Sequence, residues 1–442
     1  MSLTTPRSVR KLQRALYAKA KANPAYRFYA LYDKIYRKDV LLWAWSCCRA
    51  NGGSCGVDGQ SFAGIEAQGV EAWLDQLAKE LKEKSYRPQA VRRVLIPKPD
   101  GKQRPLGIPT IRDRVAQMAG VIVLEAIFEA DLTEEQYAYR PQRSAHDAIR
   151  EVHGLLNRGY TEVVDADLSS YFDTIPHLEL MKSVARRVSD GAMLTLINSW
   201  LEMAVEEDDG KGNKRKTTVN KDSGKGTPQG APISPLLANL YMRRFLLGWK
   251  QAGWDRKLKA RIVNYADDFV ILCRGTAEQA RVAMETMMGK LKLTVNRQKT
   301  RICRVPEESF DFLGYTLGRC HRAQTGKAYI GTKPSKKRVS RLCEKISQMT
   351  QRKWCWKETE ELVSGLNLVV KGWANYFRLG SVSKAYRVVD GHARYRLRQW
   401  LCQKHKVQGH GRNRFRDEYL YQKLGLIRLE RFSTNLPWAK AT

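Results

Sequence analysis

Two runs of β-forming residues, Arg261-Ile262-Val263-Asn264 and Phe269-Val270-Ile271-Leu272-Cys273, are joined only by Tyr265-Ala266-Asp267-Asp268. A link this short leaves room for a tight hairpin and little else, so two adjacent carboxylates are predicted at the tip of an antiparallel pair. Farther up the chain, Val163-Val164 leads into Asp165-Ala166-Asp167-Leu168 and then the aromatic pair Tyr171-Phe172, which predicts a strand with acids at its end. Asp165 and Asp167 share one strand face, and the period of two does not choose between them. Two ionised carboxylates ~4 Å apart repel by roughly 4 kcal/mol at an effective dielectric near 20. Clustering several with no Lys or Arg between them makes chemical sense where hard divalent cations fill the gap, and Mg2+ is the expected ion. Two such ions per site are what phosphoryl transfer from a nucleoside triphosphate to a primer end requires. An isolated Asp-Asp pair is more often a solvated turn, so the rest of the chain has to decide.

Charge supplies the next constraint. Lys and Arg total 78 against 45 Asp and Glu, a net charge of +33 over 442 residues. Such an excess repels itself unless a polyanion neutralises it, and nucleic acid fits better than an anionic membrane surface. The apolar run Met118 to Leu124 stops at Glu125, far short of the ~18 residues of a membrane span. No membrane partner is therefore expected. No acid precedes Asp33, while Arg7, Arg10, Lys11, Arg14, Lys19, Lys21 and Arg27 do, a composition that suits an organellar transit peptide and a nucleic-acid-binding arm equally. The nine cysteines form no C-x-x-C pair, which argues against a disulfide framework or a structural zinc and for a reducing cytosol. Cys402, His405 and His410 read as part of a basic surface.

Along the chain, helices are predicted from about Val9 to Lys21, through Leu41 to Cys48, from about Gly69 to Lys84 and over Ile111 to Ile127. Arg92 to Ile96 reads as a strand running into the cation-flanked turn Pro97-Lys98-Pro99-Asp100-Gly101. Glu206 to Lys225 is a polar, Gly- and Lys-rich insertion, read as a loop or exposed hairpin. Pro235 opens another apolar helix. From Lys333 strands fade, and Leu362, Leu366, Val369, Val370, Trp373, Tyr376 and Phe377 keep helical spacing. Residues 333–416 hold 21 Lys or Arg against 5 Asp or Glu, so the helical region is also the basic one.

Five blocks, in order, resemble those of reverse transcriptases. They are Arg93 to Thr110, Tyr139 to His146, Asp167-Leu168-Ser169-Ser170-Tyr171-Phe172-Asp173, Gly226 to Pro235 and Tyr265-Ala266-Asp267-Asp268. Gly372-Trp373-Ala374-Asn375-Tyr376-Phe377, in the basic helical region, resembles the thumb or maturase domain of group II intron-encoded proteins. The resemblance covers nearly the whole chain. It implies an α+β right-hand polymerase: a basic N-terminal extension over 1–65, fingers and palm over 66–320, and an α-helical thumb/maturase domain over 321–410. A short tail over 411–442, with no paired metal ligands, resembles the bacterial lineage that lacks the endonuclease.

Residue by residue, the resemblance implies Asp167, Asp267 and Asp268 as catalytic metal ligands, with the Leu168 carbonyl as a fourth. The family places an aromatic five residues after its catalytic acid, which selects Asp167 over Asp165 and makes Phe172 the group that excludes a ribose 2′-hydroxyl. Lys98 and Arg104 match the triphosphate-binding cations, Gln229 the nucleotide contact of the Pro-Gln-Gly loop, and Lys299 a proton donor to the leaving pyrophosphate. Arg140 and Arg143 either hold the template backbone or pair with acids within the protein. Arg394, Arg396 and Arg398, interleaved with Tyr395, Leu397 and Trp400, suit phosphate contacts plus stacking on RNA, while Trp373 and Phe377 read as core. The implied function is RNA-directed DNA synthesis joined to maturase activity. Expected partners are group II intron RNA, an RNA template with a DNA primer, target DNA and deoxynucleoside triphosphates, in a bacterial cytoplasm in association with RNA and the nucleoid. A domesticated relative acting in DNA repair or phage defence is the alternative within the class. An RNA-binding splicing factor without polymerase activity is the alternative outside it.

Overall fold

The computed structural model describes residues 3–97, 101, 103–208, 214–322 and 325–430. Lys98, predicted to bind triphosphate, lies outside them.

Eleven strands are present among the described residues: β1 Val91–Pro97, β2 Gln103–Ile108, β3 Glu162–Ala166, β4 Val205–Asp208, β5 Lys214–Thr217, β6 Ala260–Tyr265, β7 Asp268–Cys273, β8 Arg301–Arg304, β9 Phe310–Phe312, β10 Tyr315–His321 and β11 Ala328–Pro334. They form three sheets, in the orders β2-β1-β4-β5, β6-β7-β3-β8 and β11-β10-β9. The β1–β2 hairpin is antiparallel in a register from Arg92 opposite Ile108 to Pro97 opposite Gln103, and β1 also pairs in parallel with β4. The polar insertion is indeed a hairpin, with Val205 opposite Thr217 and Asp208 opposite Lys214. Tyr171 and Phe172 do not extend β3 as predicted; they open one helical turn, Tyr171–Thr174, preceded by Ser170 in the left-handed region. The β9–β11 sheet was not anticipated.

The helices follow their apolar periodicity closely. Ile111–Glu129 starts where the Thr110 hydroxyl accepts a hydrogen bond from the Asp113 amide at 3.1 Å, which satisfies one of the free donors of the first turn. Its apolar residues are buried on most faces, so it is a core helix rather than a surface one. Ser234–Gln251 carries Pro235 in its first turn, where the missing N–H costs nothing.

Packing divides the chain into two compact units. The first contains residues 1–144, 166–270 and 278–300, and holds the β2-β1-β4-β5 sheet and the Ile111–Glu129 and Ser234–Gln251 helices. The second contains residues 145–165, 271–277 and 301–442. Its helical core joins Leu342 and Ile346 of the helix Lys336–Met349, Leu366 and Val370 of Thr359–Tyr376, and Leu397 and Trp400 of Ser383–Lys404. As expected from the sequence, Phe377 is buried and Trp373 packs against this core.

The segment expected as a short tail contributes Phe415, Leu420, Leu426 and Leu429 to the same core. Burying each such side chain stabilises the fold by about 1.5–3 kcal/mol. Polar bonds fix the segment as well: Asp390 accepts from the Leu429 and Glu430 amides at 3.0 and 3.2 Å, and Asn367 Oδ1 accepts from the Ile427 amide at 2.9 Å. Residues 415–430 therefore complete the helical unit. Among the described residues, no helix is long and apolar enough to cross a membrane.

Candidate active site

The two acids sit where the sequence put them, on the turn between β6 and β7. Ala266, the first loop residue, has a φ of 58°, a conformation that costs an L-residue roughly 1–2 kcal/mol. Asn264 compensates, since its Nδ2 donates to the Ala266 carbonyl at 2.8 Å. The Asn264 backbone is gripped on the other side, its amide donating to the Glu135 carbonyl at 2.8 Å and its carbonyl accepting from the Tyr137 amide at 3.0 Å. Gln136 and Asn239, both buried, extend the brace: Gln136 Nε2 donates to the Asn239 carbonyl at 2.9 Å, and Asn239 Nδ2 to the Ala138 carbonyl at 2.8 Å. None of these three amides was singled out from the sequence. Asn264 and Asn239 offered a weak signal, a polar residue inside an apolar strand or helix, whereas Gln136 lies outside both. Burial continues down β7 from Phe269 to Cys273 while Asp268 stays exposed, so the carboxylates stand at the solvent end of a rigid element.

Asp167 follows β3 and is positioned by residues 294–300. Leu168 lies opposite Val295 in an antiparallel bridge, with the Asn296 amide donating to the Asp167 carbonyl at 2.8 Å and the Ser169 amide to the Thr294 carbonyl at 2.9 Å. Bonds on either side of the pair leave the Leu168 carbonyl itself directed away from Val295. The Asp167 carboxylate is half-buried and 3.6 Å from Lys299 Nζ, its local counter-charge. Asp165 instead faces Arg301 across the β3–β8 ladder at 3.3 Å, a cross-strand ion pair. Asp165 is thus tied into the sheet, whereas Asp167 faces Lys299 at the strand's end. Among the described residues, no three His, Cys, Asp or Glu side chains converge as a ready metal cage. The donor set of Asp167, Asp267, Asp268 and a backbone carbonyl is nevertheless all oxygen, which suits a hard divalent cation. Asp268 is exposed and Asp167 partly so, which leaves both carboxylates open to solvent.

Beside the hairpin lies an open cavity of about 730 Å³, lined by Arg104, Tyr139, Phe172, Gln229 and the Gly52-Gly53-Ser54 turn among others. Three of the predicted nucleotide-binding residues thus meet in one hollow large enough for a nucleotide. Phe172 is buried and contributes its ring as wall. Gly230 approaches β2 so closely that a Cβ there would sit 2.7 Å from the Gly107 carbonyl, and the Gly107 amide donates to the Gln229 carbonyl at 2.7 Å. Arg114 holds the Gly52 to Ser54 wall by donating to both of those carbonyls and, through Nε, to the Pro109 carbonyl at 2.9 Å. Tyr139 was not selected from its block, yet it links the cavity to the acids. Its hydroxyl pKa is raised by burial and then by the charges of Asp267 and Tyr265, with Asp268 adding to them. Its φ of 54° is itself a strained value.

The arginines assigned to RNA divide. Arg140 is 6% exposed; it forks onto Glu129 at 2.7–3.1 Å and donates to the Thr133 and Gln136 carbonyls at 2.6 and 2.8 Å. Arg143 donates to the Glu134 carbonyl at 2.6 Å and lies over the Tyr137 ring. In the second unit, Arg396 bonds to the Thr350 hydroxyl, the Ser347 and Thr350 carbonyls and Gln399. Arg398 is 11% exposed and meets Asp417 at 2.5 Å, whereas Arg394 shares Asp417 at 2.7 Å but is 41% exposed.

Residues 96–317 match the family model for reverse transcriptase (RNA-dependent DNA polymerase), and residues 339–420 match the group II intron, maturase-specific domain. Protein YkfC of Escherichia coli (strain K12) is 34% identical over 366 residues, covering 74% of this chain and 93% of the relative. Group II intron-encoded protein LtrA of Lactococcus lactis subsp. cremoris is 26% identical over 467 residues, covering 86% of this chain and 75% of the relative. Among solved structures, a chain of the "Partial Cas6-RT-Cas1--Cas2 complex" aligns at 24% identity with a TM-score of 0.34, over 59% of this chain and 41% of that one. Both halves of the expected architecture are accounted for: a mixed α/β polymerase region followed by a helical maturase region. Reverse transcriptases use divalent metal ions, and intron maturases act on RNA. The chain belongs to the reverse transcriptase family and is a group II intron-encoded type, an RNA-directed DNA polymerase with maturase activity.

Proposed function

We propose that the protein binds a group II intron RNA, assists its splicing, and copies the inserted intron into DNA during retrohoming, as one ribonucleoprotein. The observation that supports this reading best is the 730 Å³ cavity gathering Arg104, Phe172 and Gln229, with Tyr139 joining it electrostatically to Asp267 and Asp268. Asp167, Asp267, Asp268 and the Leu168 carbonyl would hold two Mg2+ ions. When bound, these ions supply the Lewis acidity and positive charge that phosphoryl transfer needs. The chain's own groups do the rest. Arg104, with Lys98, grips the triphosphate as a fork on oxyanions. The Phe172 ring occupies the space a 2′-hydroxyl would need and so favours deoxynucleotides. Gln229 contacts the nucleotide from the Pro-Gln-Gly loop, and Lys299 hands a proton to the leaving pyrophosphate.

The division into a basic extension over 1–65, fingers and palm over 66–320, thumb over 321–410 and a C-terminal segment is part of this proposal, as are target DNA as substrate and a bacterial cytoplasmic location with RNA and the nucleoid. Arg394, more exposed than Arg398, contacts RNA phosphate, while Arg396 and Arg398 brace the helical unit. Arg140 and Arg143 brace the polymerase unit. Steady-state primer extension on an RNA template tests the pocket. Arg104→Ala and Gln229→Ala are expected to raise the KM for deoxynucleotide about tenfold or more, with primer–template affinity unchanged. A KM unchanged from the parent in both variants would remove the nucleotide from this cavity.

A further inference from the structure

Gln229 is held at both ends of its amide. Its Nε2 donates to both carboxylate oxygens of Asp173, at 3.0 and 3.1 Å, and its Oε1 accepts from Arg104 Nε at 2.9 Å. A carboxylate only accepts and a guanidinium only donates, so one orientation of the amide satisfies both neighbours. The flipped orientation sets oxygen against carboxylate and NH2 against guanidinium. Gln229 is thus a polarised relay between a fixed anion and a cation of the nucleotide cavity.

The backbone of the anchor is held in place. Asp173 lies in the single helical turn that also carries Phe172, and its amide donates to the Ser170 carbonyl at 2.9 Å. The loop leading to Gln229 is laced to the same turn: the Thr227 amide donates to the Phe172 carbonyl at 2.7 Å, and the Gly226 amide to the Ile175 carbonyl at 2.9 Å. A Cβ on Gly226 would stand 3.2 Å from the Asp173 carbonyl, so the approach depends on glycine, whose φ there is +95°. The Gln229 backbone is pinned to β2 on the far side through Gly107. Only the side-chain rotamer and flip of Gln229 remain to be set, and Asp173 at one end of the amide and Arg104 at the other set them.

We propose that Asp173 is a positioning residue for the incoming nucleotide: it orients the Gln229 amide, and through it the Arg104 guanidinium, without touching the substrate. This rests on the reading of the cavity as the nucleotide pocket. The carboxylate is unsuited to direct contact with a triphosphate, whose charge it would repel, and the neutral Gln229 amide is the route by which it acts on the pocket.

The test is a double-mutant cycle on the full-length chain in steady-state primer extension, with KM for deoxynucleotide and kcat read separately and primer–template affinity measured alongside. Asp173→Ala is expected to raise KM by about five- to thirtyfold, the effect of losing a charge-assisted hydrogen bond. Primer–template affinity and the thermal midpoint should stay as in the parent. Asp173→Asn, which keeps an acceptor oxygen, should recover most of the loss. In a Gln229→Ala background, Asp173→Ala should add nothing further, because the relay is already broken. Asp173→Leu, an apolar side chain of similar shape, gives the same reading should the alanine variant fold poorly. Two results overturn the proposal: a KM for both Asp173→Ala and Asp173→Leu within twofold of the parent, or an Asp173 effect that persists in full without Gln229. If Gln229→Ala itself leaves KM unchanged, the cavity reading falls instead.

Discussion

Arg140 offers a sharp separation between a nucleic-acid contact and an internal brace. Its guanidinium is 6% exposed, forks onto Glu129 and caps two backbone carbonyls, Thr133 and Gln136. Breaking a buried ion pair by removing one partner typically costs 3–5 kcal/mol. Glu129 keeps 20% of its side chain in solvent, which screens the charge left behind, so Arg140→Gln is expected near the lower limit, about 3 kcal/mol. Arg140→Lys preserves the charge but cannot reach the carboxylate and two carbonyls together, and about 1–2 kcal/mol is expected. The damage should spread along a defined route, since the neighbouring Tyr137 amide bonds to the Asn264 carbonyl and Asn264 holds the Ala266 turn. Amide hydrogen exchange at Tyr137 and Asn264 reads it directly, together with urea unfolding at constant m. The plot of log affinity against log salt for nucleic acid should keep its slope. If both substitutions left exchange and stability as in the parent while the slope fell by about 0.7–0.9, Arg140 would be a phosphate contact and the brace would be wrong.

Three further expectations follow from other parts of the molecule. Phe172→Ala should reduce the preference for deoxy- over ribonucleotides by roughly 10–200-fold in kcat/KM, with little change in deoxynucleotide incorporation; an unchanged ratio would show that another group guards the sugar. Glu125 is driven up to about 7 from 4.5, first by burial and then by Glu129. Its folded-state proton is the more tightly held, so the contribution of this group to stability is largest below pH 4.5 and is lost as pH rises towards 7; Glu125→Gln should lack that component in urea melts across this range. Asp417 is pushed up by burial but pulled further down by Arg394 and Arg398, and ends below its ordinary 3.8. Its contribution is present above pH 3.8 and is lost as pH falls below that value. Asp417→Asn should therefore cost about 1 kcal/mol at neutral pH, discounted for exposure, and nothing in strong acid.

The hairpin, the Asp167 strand end and the basic helical region were legible because each rests on local pattern: β-runs around a four-residue link, β-branched residues before acids, apolar residues at helical spacing. Phe172 was legible as an aromatic, but its place on a helical turn was not, since Ser170 enters the left-handed region without a glycine to announce it. Arginines were the least readable. Arg394, Arg396 and Arg398 look alike in sequence, yet only tertiary partners decide that one is 41% exposed and another 11%. The same holds for Phe415 to Leu429, whose burial depends on Asn367 and Asp390 lying within reach. Buried amides such as Asn264 and Gln136 carry no periodicity at all. They became visible only through the backbone groups they satisfy.

Asp267 and Asp268, with Asp167, are proposed to carry metal-dependent polymerisation on an RNA template. Primer extension by Asp267→Asn/Asp268→Asn with Mg2+, compared with the parent chain at equal RNA affinity, tests it most directly. Loss of synthesis by about a thousandfold or more is predicted, because each removed charge is one the transition state requires. Undiminished extension by a folded, RNA-binding double variant would contradict the account.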